Sequence, residues 1–147
     1  MEITEVRIRL LDGRRDRLRA YATITLRGVF VVRDLRIIEG QRGIFVAMPS
    51  RRLADRCPRC SGKNHLRANF CNECGAKLQA GRALRDQTGR LRLHCDVAHP
   101  VNREARTKLE ECVLARYYEE LELKRRGQYM PPEDDAFEFE EGDYEYE

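Results

Sequence analysis

Apolar and charged residues alternate along Val6-Arg7-Ile8-Arg9-Leu10, and again along Leu18-Arg19-Ala20-Tyr21-Ala22-Thr23-Ile24-Thr25-Leu26. A period of two sends successive side chains to opposite faces, so both segments predict half-buried strands around the polar loop from Asp12 to Asp16. Arg27-Gly28 predicts a tight turn into Val29 to Ile38, which is rich in β-branched residues. Gly40 and Gly43 mark another turn before Ile44-Phe45-Val46-Ala47-Met48. Connections this short predict an antiparallel meander of four strands.

The strand pattern stops after Met48-Pro49-Ser50-Arg51-Arg52 and resumes at Leu91-Arg92-Leu93, beyond a polar linker bracketed by Gly81 and Gly89. From Asn102 onward the period changes. Ala105, Leu109, Val113, Tyr117 and Leu121 recur every four residues with Cys112 beside them, which predicts one amphipathic helix with Cys112 as a buried thiol. Asn102 suits the N-cap, Glu104 the first turn, and Lys124-Arg125-Arg126-Gly127 the cationic, glycine-ended C-terminus. Pro131-Pro132 bars continuation. The fold class is therefore α+β: a small antiparallel β-sheet with a C-terminal amphipathic helix.

Between strand and helix lie Cys57-Pro-Arg-Cys60 and Cys71-Asn-Glu-Cys74-Gly. Two tight turns offering two thiolates each make a closed tetrahedral site, so Cys57, Cys60, Cys71 and Cys74 predict one structural Zn2+ per chain. Two disulfides are the competing use of these residues, and the paired spacing favours the metal. A ribbon of about 20 residues cannot fold on apolar burial alone and needs its ion. The expected organisation is a discontinuous body at 1–53 and 90–127, an inserted zinc ribbon at 54–80, a linker at 81–89 and a disordered acidic tail at 128–147. The opening Met1-Glu2 sequence lacks the apolar run of a signal peptide, and nothing reaches membrane length, so a reducing cytoplasm is expected.

The net charge of +3 over 147 residues hides an asymmetry. All 28 Lys and Arg precede Pro131 and nine of the 25 acids follow it, leaving residues 1–130 at +12. Such an excess suits DNA or RNA phosphates or acidic protein surfaces. The tail alternates Phe137, Phe139, Tyr144 and Tyr146 with carboxylates too dense to bury. No nucleophile elbow, P-loop or dinucleotide fingerprint occurs, and Arg33-Asp34 and Asp96 with His99 read as surface or structural pairs, so neither an enzyme nor a small-molecule substrate is expected.

Four separated stretches now carry a family likeness: Met1-Glu2-Ile3-Thr4-Glu5-Val6-Arg7-Ile8, Phe30-Val31-Val32-Arg33-Asp34-Leu35-Arg36-Ile37-Ile38-Glu39-Gly40, Gly43-Ile44-Phe45-Val46-Ala47-Met48-Pro49-Ser50, and Asp96-Val97-Ala98-His99-Pro100-Val101-Asn102. Together they resemble the SpoVG family of bacterial sporulation and septation proteins. The resemblance implies a small sheet with a C-terminal helix, a homodimer, nucleic-acid binding, and a regulatory link to sporulation, septation and gene expression. The cysteine ribbon and the acidic extension depart from that pattern. Within the likeness, His99 is expected to make a structural hydrogen bond at the strand-to-helix corner, and a second metal set from His94, Cys95 and His99 is not required.

Ser50, Arg51 and Arg52 leave the fourth strand, while Asn102, Arg103, Arg106 and Lys108 open the helix. A helix N-terminus with arginines suits phosphate, since its unbonded N–H groups and dipole add to side-chain charge. The alternative is a solvated basic surface; the resemblance, whose matching segments lie in the family's proposed DNA-binding region, favours contact. Arg59, Lys63 and Arg67 of the ribbon are further candidates. Aromatic residues are sparse in the basic body and Trp is absent, which favours backbone binding over base stacking. Two functions follow: a non-enzymatic, dimeric nucleic-acid-binding regulator, or an adaptor for division or sporulation proteins that uses the ribbon and tail.

Overall fold

In the computed structural model, which describes residues 1–12 and 16–133, the alternating segments form a four-stranded antiparallel sheet in chain order. Its strands are β1 (Ile3–Leu10), β2 (Leu18–Leu26), β3 (Phe30–Gly40) and β4 (Gly43–Ala47). Register sets Val6 opposite Ile24, Ile8 opposite Ala22 and Leu10 opposite Ala20, so the apolar positions of β1 and β2 share one face. Arg27 and Gly28, with φ of 51° and 68°, make a left-handed turn closed by the Val29 N–H on the Leu26 carbonyl. Between β2 and β3 the register slips at Ala22 to Ile24. Arg33 and Asp34 together oppose Thr23 there, a bulge in which Asp34 takes φ 63°.

Among the described residues the one helix, α1 (Arg103–Arg125), packs on the apolar face. Leu109, Val113 and Tyr117 are buried with Ile8, Ala20, Ala22, Ile24, Leu35, Ile37, Val46 and Met48 in one core. The four-residue spacing of those helix positions holds them on one stripe, and full burial of each aliphatic side chain contributes about 1.5–3 kcal/mol. The Asn102 side chain accepts from the Ala105 N–H at 2.8 Å, the expected N-cap. At the other end Gly127 (φ 73°) donates to the Lys124 carbonyl and Gln128 to that of Leu123, a Schellman ending.

Sequence periodicity did not mark two charged groups beneath the surface. Glu120 is buried on α1 and paired with Arg116 at 2.5 Å. Arg36 is buried in β3 and donates to the Met48 carbonyl at 2.9 Å. Cys112, expected in the core, is half-buried. After the helix, the Tyr129 hydroxyl accepts from the Leu10 N–H (2.9 Å) and donates to the Ile8 carbonyl (3.1 Å), and Arg9 bonds the Pro132 carbonyl. These bonds tie residues 129 and 132 to β1. The rest of the acidic tail, with its four aromatics, lies outside the described residues.

The chain divides into two units, Met1–Pro49 with Ala98–Glu147, and Ser50–Val97. The second begins and ends with its own antiparallel pair, β5 (Ser50–Arg52) against β8 (His94–Asp96). Inside it β6 (Ala54–Arg56) pairs with β7 (Lys63–His65). The strand expected at Leu91 to Leu93 is displaced to His94–Asp96. Leu91 instead pairs with Arg85, and Arg92 donates to the Leu84 carbonyl, closing a hairpin within the supposed linker. Its turn is held by the Asp86 carboxylate, which accepts from the Thr88 N–H, the Thr88 hydroxyl and the Arg90 N–H and is thereby kept below the usual carboxylate range.

Candidate functional site

Each cysteine pair sits on a hairpin of the same construction. Cys57 N–H donates to Gly62 O and Ser61 N–H to Cys57 O; fourteen residues on, Cys71 N–H donates to Ala76 O and Gly75 N–H to Cys71 O. Ser61 and Gly75 occupy equivalent left-handed positions, with φ of 63° and 75°. Glycine takes that conformation without strain and serine less readily. The turn at Gly62 is tight in a different way: an added Cβ would stand 2.7 Å from Glu73 Cγ and 3.2 Å from Cys60 Sγ.

The two hairpins bring the four sulfurs within 4.8 Å of one another. Cys57 and Cys74 Sγ are 3.8 Å apart, and Cys60 and Cys71 Sγ 3.5 Å. A tetrahedron with metal–sulfur bonds of about 2.3 Å has edges of about 3.8 Å, so donor type and spacing both fit a thiolate-bound ion. Among the described residues this is the one cluster of three or more such ligands with its atoms converging. Cys57 and Cys71 are buried, and Cys60 and Cys74 exposed, so the site lies at the surface of its unit.

Backbone amides point at the sulfurs as they would at anions. Arg59 N–H faces Cys57 Sγ, Gly62 N–H faces Cys60 Sγ, and Glu73 N–H faces Cys71 Sγ, each at 3.4 Å. The Cys60 N–H, then that of Arg59, pulls the Cys57 thiol below its ordinary value. For Cys71, the Cys74 N–H and the Asn64 amide lower the thiol to about 6. Cys60 moves the other way. The Gly62 N–H lowers it, but the neighbouring Cys71 and Cys74 sulfurs and burial together push it up to about 12. Sulfurs this close titrate as a set, and a bound cation replaces the protons that separate them.

Asn64 was not apparent as a site residue in the sequence. Buried in β7, it donates to Gly62 O at 3.2 Å and to Cys71 Sγ at 3.4 Å while its carbonyl accepts from Asn72 N–H at 2.8 Å. One amide thus links both knuckles and the Cys71 sulfur. Arg82 braces the same unit through an ion pair to Asp55 at 2.6 Å and bonds to the Ala68, Gln79 and His65 carbonyls. A lone arginine in a polar stretch gave no sign of that role.

The basic candidates fall in both units. Arg51 and Arg52 are exposed on β5 and Ser50 is half-buried there; Arg103, Arg106 and Lys108 are exposed on the first turns of α1 beside the capping Asn102. In the ribbon, Arg59, Lys63 and Arg67 are exposed. Residues 50–97 hold 11 Lys and Arg against four acids. His99 Nδ1 donates to the Pro100 carbonyl at 2.9 Å, the corner bond expected of it. Asp34 is raised in pKa by burial, partly offset by Arg36. A groove of about 800 Å³ is lined by β1 and α1, with Val6, Cys112, Arg116, Glu120, Met130 and Pro132 among its residues. Among the described residues no helix is long and apolar enough to cross a membrane.

Comparison with known proteins agrees with the architecture of sheet and helix. The SpoVG family profile matches residues 1–119. A protein of Onion yellows phytoplasma named "Putative septation protein SpoVG" is 33% identical over 137 residues, 93% of this chain and 94% of its own. Its namesake in Priestia megaterium is 35% identical over 131 residues, 86% of this chain and 98% of its own. Matched along both the sheet and the helix, with relatives above 30% identity over most of both chains, the chain belongs to the SpoVG family.

Proposed function

We propose that this chain is a non-enzymatic nucleic-acid-binding regulator that acts as a cytoplasmic homodimer and carries one structural zinc ion in its ribbon. The observation that carries the reading is the charge of residues 1–130, +12, borne in part by exposed cations on β5, on the first turns of α1 and in the ribbon. Exposed arginines beside a helix N-terminus contribute phosphate affinity through side-chain charge, unbonded amides and dipole together. The family relatives named as septation proteins connect that regulation to cell division and sporulation.

Zinc suits the ribbon because four thiolates leave no open coordination position, which assigns the ion to folding and leaves recognition to the side chains around it. Bound there, the ion supplies the cross-link that a unit with only three buried apolar residues in its own cluster lacks. Dimerisation is supported by large apolar side chains left in water around the β2–β3 turn: Val29, Phe30 and Val31 are 85%, 63% and 48% exposed. A two-fold pair would present each basic surface twice to one ligand.

The test is binding of the zinc-loaded full chain to duplex DNA and to RNA, with an Arg51→Ala, Arg103→Ala variant beside it. The reading expects the double variant to bind at least about tenfold more weakly at low salt, two phosphate contacts being lost. Wild-type protein that binds neither nucleic acid at low salt would transfer the basic surface to an acidic protein partner, the adaptor function.

A further inference from the structure

The two knuckles repeat each other's backbone hydrogen bonds and cysteine positions fourteen residues apart, and the residue before the first cysteine of each differs in kind. Arg56 precedes Cys57 and pairs across the hairpin with Lys63; Phe70 precedes Cys71 and pairs across its hairpin with Lys77. Arg56, Lys63, Phe70 and Lys77 are all exposed. Where the first knuckle pairs two exposed cations across its hairpin, the second pairs an exposed aromatic residue with one exposed cation.

The backbone pairing places both side chains on one face of the hairpin. Cys71 N–H donates to Ala76 O and Leu78 N–H to Asn69 O, both at 2.8 Å, flanking the Phe70–Lys77 bridge on either side. That makes it the non-hydrogen-bonded kind of antiparallel pair, whose side chains share a face and approach most closely. Phe70 is 61% exposed although its neighbour Cys71 is 4% exposed and its strand is clamped at the sulfur cluster. It is the sole Phe, Tyr or Trp of residues 50–97. A unit whose apolar cluster is Cys57, Cys71 and Leu78 leaves its largest apolar side chain outside that cluster.

We propose that Phe70 and Lys77 form a base-stacking platform for single-stranded nucleic acid, the ring taking the face of one unpaired base and the ammonium an adjacent phosphate. This rests on the nucleic-acid reading above and names the form of ligand for the ribbon. Charge complementarity supports the choice: residues 50–97 carry +7 with neutral thiols, and four thiolates with a divalent ion still leave +5. An exposed ring engages a base face only where the base is unstacked from its neighbours, which selects single strands over duplex. Only the ring adds a preference for unpaired bases; the surrounding arginines and lysines attract any polyanion.

The experiment is fluorescence anisotropy of a labelled short oligothymidine, and of a labelled duplex of equal length, with zinc-loaded full chain. Phe70→Ala weakens single-strand binding by about fivefold or more and leaves duplex binding within about twofold, with metal content unchanged; Phe70→Trp keeps or tightens it. Lys77→Ala lowers the single-strand salt slope by about one phosphate. Wild-type single-strand affinity retained in Phe70→Ala overturns the platform while leaving general nucleic-acid binding in place. Wild-type protein that binds neither probe overturns both.

Discussion

Asn64 links the two halves of the four-cysteine cluster with one side chain, touching the Cys71 sulfur, the turn of its own knuckle and the N–H of Asn72 in the other. Removing such a supporting partner from a metal ligand typically costs 10–100-fold in affinity. Asn64→Ala is therefore expected to raise the zinc dissociation constant by about that factor, read by competition with a chromophoric chelator, while all four cysteines still bind. Acid should empty the site as well. The Cys71 thiol, lowered to about 6, is deprotonated in the folded ribbon and protonated in the unfolded chain between pH 6 and 9. Its contribution to stability is thus complete above about pH 9 and lost as pH falls to 6. Cys60, raised to about 12, has the opposite sign: it favours the metal-free fold below about pH 9 and ceases to as pH rises toward 12. Metal competes with the protons of all four, so zinc release followed from pH 8 to 5 should be steeper than a single titration. The cysteines were legible because ligand spacing is a pattern along the chain. Asn64 was not, since its role depends on the fold carrying it to the Cys71 sulfur, seven residues further along the chain in the other knuckle.

At the scale of elements, α1 was legible from end to end. A four-residue apolar repeat, an asparagine before it and a glycine after it each correspond to one physical requirement, the stripe, the cap and the left-handed ending, and each is met. Leu109→Ala should destabilise the sheet–helix unit by about 2–5 kcal/mol, because the site is enclosed by both layers and collapses incompletely. Asn102→Ala should cost about 1 kcal/mol through the lost cap. Urea unfolding followed by far-ultraviolet circular dichroism measures both. The four strands were equally readable from alternation and turns. What escaped was the hairpin at Leu84 to Leu91 and the placement of β8, because a turn built on one aspartate looks, in sequence, like any polar loop. Glu120 escaped for a related reason: a charged residue on a helix reads as solvated until Arg116 is seen beside it.

For the whole molecule, charge is the organising quantity. Residues 134–147 contribute eight acidic side chains, so removing them takes the chain from +3 to +11. A truncation ending at Glu133, which keeps Tyr129 and Pro132 on β1, is expected to bind nucleic acid more tightly than the full chain at low salt and to converge with it at high salt. The most direct test of the central claim is the salt dependence of DNA binding by the zinc-loaded full chain. Nucleic-acid binding through exposed cations predicts that the logarithm of affinity falls linearly with the logarithm of salt concentration, by about 0.9 for each phosphate neutralised, with a slope reduced in the Arg51→Ala, Arg103→Ala variant. An affinity that is flat across the salt series, or a slope indifferent to those two arginines, would contradict it.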